Sequence, residues 1–401
     1  MWIKNVKLEK GFYKENGLIT STITELADLY IEDGKIVKIE KSGKAEGKAL
    51  DAKGYLALPT LKDNHVHLDK GHFGGPWKAV IPMNSVAERI QEEEEFLEDF
   101  LEDTPKKAQA LIDLITGFGA TYLQVQVNID PVIGLENYHL VREVLENNRH
   151  KLDFDMVAFP QHGNLKTYEE GFLVEALKEG IEILGGLDPG KIDKDIEKSL
   201  KVSFDLAKKY NRPLDFHLHS PGSLGIYEIE RIFKYIENYN MKGRVSISHG
   251  LSLGDISFHE GQKMARKFKE YGISINTTQP LERPALPFML YINEGVQVNV
   301  VNDNINDHWS PFGTGDIIEK LNTACQIHDF NDEYSISRTL KAATGGITPL
   351  DDQGNQIWPK IGDSADILFV KGESSAHVIA RRIPERVVLF KGEFVKGEFE
   401  N

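Results

Sequence analysis

Residues 181–188 read Ile-Glu-Ile-Leu-Gly-Gly-Leu-Asp, a nearly continuous apolar run that is typical of a strand buried on both faces. Seven more strand-like runs recur along the chain, with helix-like segments between them. The eight runs are Tyr55–His67, Ala120–Ile129, Asp153–Gln161, Ile181–Asp188, Pro213–His219, Arg244–His249, Gly272–Thr278 and Val296–Asn304. The segments between them show helical spacing, as at Ile226, Ile229, Ile232, Phe233 and Ile236. Eight alternating β and α units over about 290 residues predict an α/β fold, a TIM-like (β/α)8 barrel.

Both ends of the chain predict short strands outside this alternation. The Asp33-Gly34 pair stands between two apolar runs, which is a good β-hairpin signal. Ala365–Val370 and Arg386–Phe390 have the same strand-like character. Either end alone has too few strands to bury an apolar face, so we expect the two ends to pair. The predicted units are a small β-sandwich domain at 1–58 plus 345–401 and a barrel domain at 59–344.

Composition and charge narrow the class of protein. The 401 residues include 47 Lys plus Arg and 62 Asp plus Glu, and the net charge of −15 argues against nucleic acid or an anionic membrane as partner. A hydrophobic share of 40% is ordinary for a globular protein and excludes a disordered chain. Cys325 is the single cysteine, which excludes an intramolecular disulfide and a cysteine-based metal site. Without a signal-peptide pattern or a run of about 18 apolar residues, we expect a cytoplasmic protein.

One acidic stretch, Gln91–Glu95, could be interpreted as a cation site. A helix with a solvent-facing acidic side is the better interpretation, because apolar residues form a stripe around it. Those residues are Ile90, Phe96, Leu97, Phe100 and Leu101. Eight histidines fall in loops or helices, and we expect most of them at the surface. They are His72, His139, His150, His162, His259, His308, His328 and His377.

Polar residues gather at the ends of four predicted strands. His65-Val66-His67 ends the first strand, His217-Leu218-His219 the fifth, His249 the sixth and Asp303-Asn304 the eighth. Catalytic groups of a (β/α)8 barrel lie at these carboxyl ends, and strand residues two apart point the same way. Three or four imidazoles and one carboxylate, with room for water, are typical of a catalytic zinc-type site. The sequence therefore predicts a metal centre, although His219 taken alone is better interpreted as a hydrogen-bonded or substrate-facing residue.

The same residues carry a family resemblance over nearly the whole chain. Residues 65–70, His-Val-His-Leu-Asp-Lys, resemble the first-strand motif of the amidohydrolase superfamily, and His, His and Asp on strands 5, 6 and 8 match its signature. Residues 157–161, Val-Ala-Phe-Pro-Gln, and the stretch 303–313 resemble the cytosine deaminase branch. Residues 185–189, Gly-Gly-Leu-Asp-Pro, and 225–227, Gly-Ile-Tyr, are similar to triazine-ring aminohydrolases of that branch.

This resemblance implies a role for each matching residue. One divalent metal ion, zinc before iron or manganese, would be held by His65, His67, His217 and Asp303. The catalytic residues would be His249, Asp303 and Lys70, and the substrate-binding residues would be Gln161, Asp188, His219, Asn304 and Trp309. Superfamily members with two metals carry a carboxylated lysine on strand 4. Residues 181–188 contain no lysine, so one metal is expected.

Two departures from the family pattern concern the substrate. Cytosine and adenosine deaminases carry a glutamate three residues after the strand-5 histidine, where this chain has Ser220. On strand 2, relatives have Arg-Thr-His-Val-Asp, whereas residues 124–128 are Gln-Val-Gln-Val-Asn. Amides can hydrogen-bond a heterocycle but cannot exchange protons near neutral pH. We therefore expect a substrate that differs from those of cytosine deaminases and triazine aminohydrolases.

These expectations combine into a metal-dependent aminohydrolase. Metal-activated water would displace an exocyclic amino or alkylamino group from a small pyrimidine- or triazine-type heterocycle. Two alternatives stay open: a hydrolase of cyclic amides or N-acyl compounds at the same site, and a catalytically silent protein that binds a small molecule. The complete set of five metal-site residues argues against the silent protein. A homo-oligomer is expected by analogy with the family.

Overall fold

The computed structural model describes residues 1–400, so Asn401 of the predicted small domain lies outside the described residues. Its strands are β1 (Trp2–Glu15), β2 (Leu18–Glu32), β3 (Lys35–Lys41), β4 (Ala49–Asp51), β5 (Leu56–Pro59), β6 (Leu61–His67), β7 (Ala120–Asn128), β8 (Asp153–Phe159), β9 (Ile183–Leu187), β10 (Leu214–His217), β11 (Val245–Ser248), β12 (Ser274–Thr277), β13 (Val298–Val300), β14 (Ile367–Val370), β15 (Arg386–Phe390) and β16 (Glu393–Lys396). Its α-helices are α1 (Val86–Glu94), α2 (Leu97–Gly117), α3 (Glu136–Asn147), α4 (Asn164–Glu169), α5 (Phe172–Glu179), α6 (Ile196–Tyr210), α7 (Gly222–Tyr239), α8 (Phe258–Tyr271), α9 (Phe288–Asn293), α10 (Ile317–Ile327), α11 (Glu333–Arg338) and α12 (Ser375–Arg381), with 3-10 turns at Leu251–Gly254 and Thr339–Ala342. Within residues 1–400, none of these helices is long and apolar enough to cross a membrane.

Strands β6 to β13 form one parallel sheet in which chain order and spatial order coincide. The sheet returns on itself, since Val66 of β6 bridges to Asp303 just after β13. The Asp303 amide donates to the His65 carbonyl at 2.8 Å, which holds the last strand end against the first. The apolar faces of the strands and helices share one large core. The predicted (β/α)8 barrel with a small β domain made from both chain ends is confirmed.

The first predicted barrel strand, Tyr55–His67, is in fact two strands. β5 pairs antiparallel with β14 in the small domain, whereas β6 pairs parallel with β7 in the barrel. The chain changes sheets at Pro59-Thr60, where proline has no amide hydrogen to continue a ladder. β5 is buried and apolar, whereas β6 is largely buried but polar at residues 62–65. Only Thr60 separates the two strands, so the sequence pattern does not reveal the break.

The small domain is a separate eight-stranded sheet with the order β16-β15-β14-β5-β1-β2-β3, and β4 pairs with β1. Alternate residues of β14 face different cores. Ile367 and Phe369 pack into the small domain, while Leu368 and Val370 pack into the barrel. Because strand residues alternate between faces, this one strand connects the two hydrophobic cores. The exact domain limits, at 58/59 and 344/345, stay a prediction.

The hairpin predicted from Asp33-Gly34 is confirmed. β2 and β3 pair antiparallel with Glu32 opposite Lys35. Asp33 and Gly34 have φ angles of 48° and 72°, as a type I′ turn requires. The expectation of short strands is wrong for β1 and β2, which run for 14 and 15 residues. Irregularities in their register, such as the one between Ile3 and Val6, keep so long a pair from being a regular ladder.

Replacing Gly185 with alanine is expected to destabilise the barrel. A Cβ atom at this position of β9 would lie 2.6 Å from the backbone oxygen of Ala158 on β8. Overpacking of this kind costs about 1–3 kcal/mol, which urea unfolding would measure. The control is Gly117→Ala at the end of α2, where the nearest atom would be 3.9 Å away. Equal effects of the two substitutions would show that the close approach of β8 and β9 is unimportant.

Candidate metal centre and substrate pocket

Four strand ends bring five polar side chains together at the carboxyl-terminal mouth of the barrel. The Nε2 atoms of His65 and His67 lie 3.3 and 3.5 Å from Oδ1 of Asp303. The ring centroid of His65 lies 4.5 Å from that of His217 and 5.1 Å from that of His249. Potential ligand atoms fall within 4.8 Å of one another in two groups, His65–His217–His249 and His65–His67–Asp303. His65 belongs to both groups and stands at the centre of the cluster.

A buried carboxylate orients His65 from below. Asp215 of β10 accepts a hydrogen bond from the Ser248 hydroxyl at 2.7 Å, and Ser248 Oγ lies 2.8 Å from Nδ1 of His65. A hydroxyl that gives its proton to Asp215 must accept one from Nδ1, so the lone pair of His65 is on Nε2. Two amides of β7, the second barrel strand, also contact this carboxylate, since Gln124 and Gln126 donate to Asp215 at 2.5 and 3.3 Å. Gln124 and Gln126, two of the amides that depart from the resembled pattern, therefore support the metal-site histidine.

The buried imidazoles of His67 and His217 are held in the neutral form that a metal ion requires. Burial, together with the charge of Lys70, lowers the pKa of His67 to about 4. Burial and the neighbouring His65 hold the pKa of His217 well below its usual range. Nε2 of His65, Nδ1 of His67 and both ring nitrogens of His217 have no hydrogen-bond partner within residues 1–400. Buried imidazole nitrogens that lack partners and cluster around His65, beside a carboxylate, fit a divalent metal ion.

A cavity opens beside this cluster. Its walls combine imidazole, amide and aromatic groups from the ends of six barrel strands, from the loops that follow them and from α1. The lining residues are His67, Lys70, Val86, Phe159, Gln161, Leu187, His217, His219, His249, Asp303, Asn304 and Trp309. Of the predicted substrate-binding residues, Asp188 alone is placed behind this wall, where its carboxylate accepts from the amide of His219 at 2.6 Å. Apolar walls made by Val86, Phe159 and Leu187 were not predicted from the sequence.

Asp188 and His219 form a hydrogen-bonded pair at the cavity edge, in which His219 lines the cavity and Asp188 lies behind it. Oδ2 of Asp188 lies 3.0 Å from Nδ1 of His219, and the His219 ring lies 4.3 Å from that of His249. Burial acts to lower the pKa of His219, but the charge and hydrogen bonds of Asp188 outweigh it and raise that pKa. The pair therefore presents Nε2 of His219 to the cavity.

The interpretation of Gln91–Glu95 as a solvent-facing helix side holds for Gln91 and Glu95, which are exposed, and is wrong for the three glutamates between them. α1 lies across the barrel mouth, and three of its glutamates contact the loops that follow β8 and β13. Oε2 of Glu92 lies 2.5 Å from Nε2 of His308, and Oε1 of Glu94 lies 2.5 Å from Nε2 of His162. Glu93 is fully buried and accepts a hydrogen bond from Nε1 of Trp309 at 3.1 Å. His162 and His308 are consequently buried contacts of α1 rather than surface residues.

The charge of Glu93 is expected to make folding stability depend on pH. Burial raises its pKa from 4.5 to about 7, against the lowering effects of Lys70 and Trp309 and with Asp69 and Asp307 raising it further. A raised pKa in the folded state contributes stability below about pH 4.5 that is lost as pH rises through about 7. Glutamine carries no such proton. The difference in melting temperature, wild type minus Glu93→Gln, should therefore decrease as the pH is raised from about 5 to about 8.

The control for this measurement is Glu95→Gln, because Glu95 follows directly after the end of α1, two residues from Glu93, and is exposed. Its difference from wild type should be nearly constant over the same range. A constant difference for Glu93→Gln as well would contradict the burial of an ionisable carboxylate at this position.

Three of the site residues adopt a left-handed backbone. Asp188, His249 and Asp303 have φ angles of 33°, 67° and 62° at the ends of their strands. This conformation is unfavourable for residues with a Cβ atom and is concentrated at functional sites. A sequence pattern carries no signal for it.

Known proteins resemble this chain over almost its whole length, although no protein-family model matches it. It is 35% identical to an uncharacterized protein of Escherichia coli (strain K12), over 99% of this chain and 87% of the relative. It is 30% identical to the N-isopropylammelide isopropyl amidohydrolase of Pseudomonas sp. (strain ADP), over 92% of this chain and 93% of the relative. The crystal structure of N-isopropylammelide isopropylaminohydrolase from Burkholderia multivorans ATCC 17616 has a TM-score of 0.84 at 28% identity, over 99% of this chain and 98% of that one.

Proposed function

This chain belongs to the amidohydrolase superfamily, and on that premise we propose that it is a metal-dependent aminohydrolase of small nitrogen heterocycles. The predicted resemblance to this superfamily and to its N-isopropylammelide isopropylaminohydrolases is confirmed, and its named relatives, which also include a pterin deaminase, act on carbon–nitrogen bonds. In the proposed reaction, water replaces an exocyclic amino or alkylamino group and leaves a ring carbonyl. The observation that carries the proposal is the cluster of buried imidazoles around His65, which lies beside Asp303 and an amide-lined cavity.

The proposed ligands of a single divalent ion are His65, His67, His217 and Asp303. Their neutral nitrogens and one carboxylate oxygen suit zinc, with iron or manganese as alternatives. When bound, such an ion acts as a Lewis acid and lowers the pKa of water toward about 7.

Proton transfer is assigned to groups of the chain at the cavity wall. His249 is buried beside His65 and His219, and burial holds its pKa well below the usual range, so its neutral ring can accept a proton from attacking water. Nε2 of His219 faces the cavity and Asp188 holds its Nδ1, so His219 can return a proton to the departing amine. This assignment supplies the acid that Ser220 cannot provide in place of the family glutamate.

Binding of the ring is assigned to the remaining wall. Gln161 and Asn304 offer amide groups to ring nitrogens and carbonyls, and Phe159 and Trp309 offer flat apolar faces. Lys70 lies 5.5 and 5.4 Å from the centroids of these two aromatic rings, so its ammonium stands at the edge of the same pocket. A small planar heterocycle suits walls of this kind better than an extended polymer.

Metal analysis of the purified protein, followed by a screen for released ammonia or alkylamine, tests the proposal. The screen covers aminopyrimidines, aminotriazines and aminopurines, with cyclic amides and N-acyl compounds as a second set. About one equivalent of metal and amine release from a ring is expected. Turnover of the second set alone would favour the cyclic amide or N-acyl hydrolase, and ring binding without any product would favour the silent protein. A cytoplasmic location and a homo-oligomeric state stay predictions.

A further inference from the structure

Lys70 is a buried cation with a small set of contacts. Its side chain is 2% exposed, and its Nζ atom donates to Oε1 of Gln161 at 2.5 Å. Oε1 of Glu93 lies 3.7 Å from Nζ and has no hydrogen-bond partner within residues 1–400. A buried ammonium is stable only when an opposite charge compensates it. Glu93 provides that charge from α1 once the pH exceeds its raised pKa of about 7.

The contact with Lys70 sets the direction of the Gln161 amide. An ammonium has three donors and no acceptor, so the group that faces Lys70 must be the Gln161 oxygen. The NH2 group of Gln161 is then left for the cavity that this side chain lines. Gln161 therefore acts toward a bound ring as a hydrogen-bond donor.

Asn304 is oriented in the opposite sense. Its Nδ2 atom donates to Oδ2 of Asp307 at 2.5 Å, while the other Asp307 oxygen accepts from the amides of Trp309 and Ser310. An ionised carboxylate can only accept, so the NH2 group of Asn304 is used there. The Asn304 oxygen is left for the cavity. One wall thus offers a donor and the other an acceptor.

We propose that Glu93 is a positioning residue which, by holding Lys70, fixes Gln161 as a donor and so selects heterocycles with an amide-like edge. Such an edge presents a carbonyl or ring nitrogen toward Gln161 and an N–H group toward Asn304. The same carboxylate also holds the Trp309 indole, so Glu93 orients two pocket residues without lining the pocket itself. The selectivity part of this inference rests on the proposed function, whereas the positioning of Lys70 does not.

The first test measures how firmly Lys70 is held, with no substrate present. The metal-loaded enzyme is exposed briefly to acetic anhydride at about pH 8.5, where Glu93 is ionised. Mass spectrometry reports acetylation of Lys70 relative to exposed lysines of the same chain. In Glu93→Gln, labelling of Lys70 should rise at least about fivefold, because the ammonium loses its charge partner. In Glu93→Asp, which keeps a carboxylate, labelling should return toward the wild-type level. Unchanged labelling in Glu93→Gln would overturn the proposal.

Two further variants separate positioning from simple loosening of α1. Glu92→Gln and Glu94→Gln weaken the contacts of the same helix with His308 and His162 and leave the Lys70 contact in place. Labelling of Lys70 in these variants should stay near wild type. If it rises as much as in Glu93→Gln, Lys70 is merely shielded by the helix, and the positioning role is wrong.

Steady-state kinetics then test selectivity on any amine-bearing ring that the wild-type enzyme converts. Glu93→Gln should raise KM about tenfold for rings with an amide-like edge and change kcat much less, since Glu93 does not touch the reacting atoms. A matched fall in kcat with constant KM would overturn the selectivity claim. If wild type converts no ring, the proposed function fails, while the labelling result still decides the positioning of Lys70.

Discussion

A His65→Ala variant should lose its activity and most of its bound metal together. His65 belongs to both groups of potential ligand atoms, so its removal opens the centre of the cluster rather than one edge. Metal activation of water contributes several kcal/mol to such reactions, and each 1.4 kcal/mol is a factor of ten in rate. We therefore expect turnover to fall on the order of 10³-fold or more, and metal content to fall well below one equivalent.

The measurements are amine release and elemental analysis of the same protein preparation. His259→Ala is the matched control, because His259 is exposed on α8 and the substitution also removes one imidazole. That control should keep both its metal and its activity. Full turnover by His65→Ala, or full metal content without His65, would contradict a metal centre built on this residue.

The barrel itself could be predicted because its signal is local and repeated. Each buried strand is a short apolar run, and each helix that follows shows its own spacing, so eight copies identify the architecture. The break inside Tyr55–His67 could not be predicted in the same way. The strands on either side of Thr60 are both largely buried with a single residue between them, and the change of sheet depends on partners far away in sequence.

The metal-site histidines could also be predicted, since strand ends of a barrel must meet at one mouth. The role of Glu93 could not. Helical spacing identifies a buried face only when the other face meets solvent, and α1 lies across the mouth so that its acidic side is covered as well. The partners of Glu93 are Lys70 and Trp309, separated from it by long stretches of chain. Pairings of this kind depend on tertiary packing rather than on a local pattern.

The role of Asp215 could not be predicted from the sequence for a related reason. It precedes His217 by two residues on β10, so both side chains point into the barrel, yet a lone aspartate within a strand has no motif. Its importance comes from the donors around it, which belong to three other strands. They are Gln124, Gln126, Ser248 and Asn276. Such a set of buried donors depends on one carboxylate for its hydrogen bonds.

Asp215→Asn is therefore expected to weaken both metal binding and folding. An amide of the same shape turns one acceptor oxygen into a donor, so that a buried donor such as Ser248 or Gln124 loses its partner. Loss of such a buried contact costs about 1–3 kcal/mol in the free energy of unfolding, which urea titration of the metal-free protein would measure.

The same substitution releases the Ser248 hydroxyl that fixes Nδ1 of His65. Changes in groups that orient a metal ligand lower metal affinity about 10- to 100-fold, which competition with a chelator would measure. Asp153→Asn is the control, because Asp153 is a half-exposed residue of β8 whose ion pair with Lys391 lies at the surface. It should change stability by less than about 0.5 kcal/mol and leave metal affinity unaltered. If Asp215→Asn binds metal as tightly as this control, the orientation of His65 does not depend on the carboxylate beneath it.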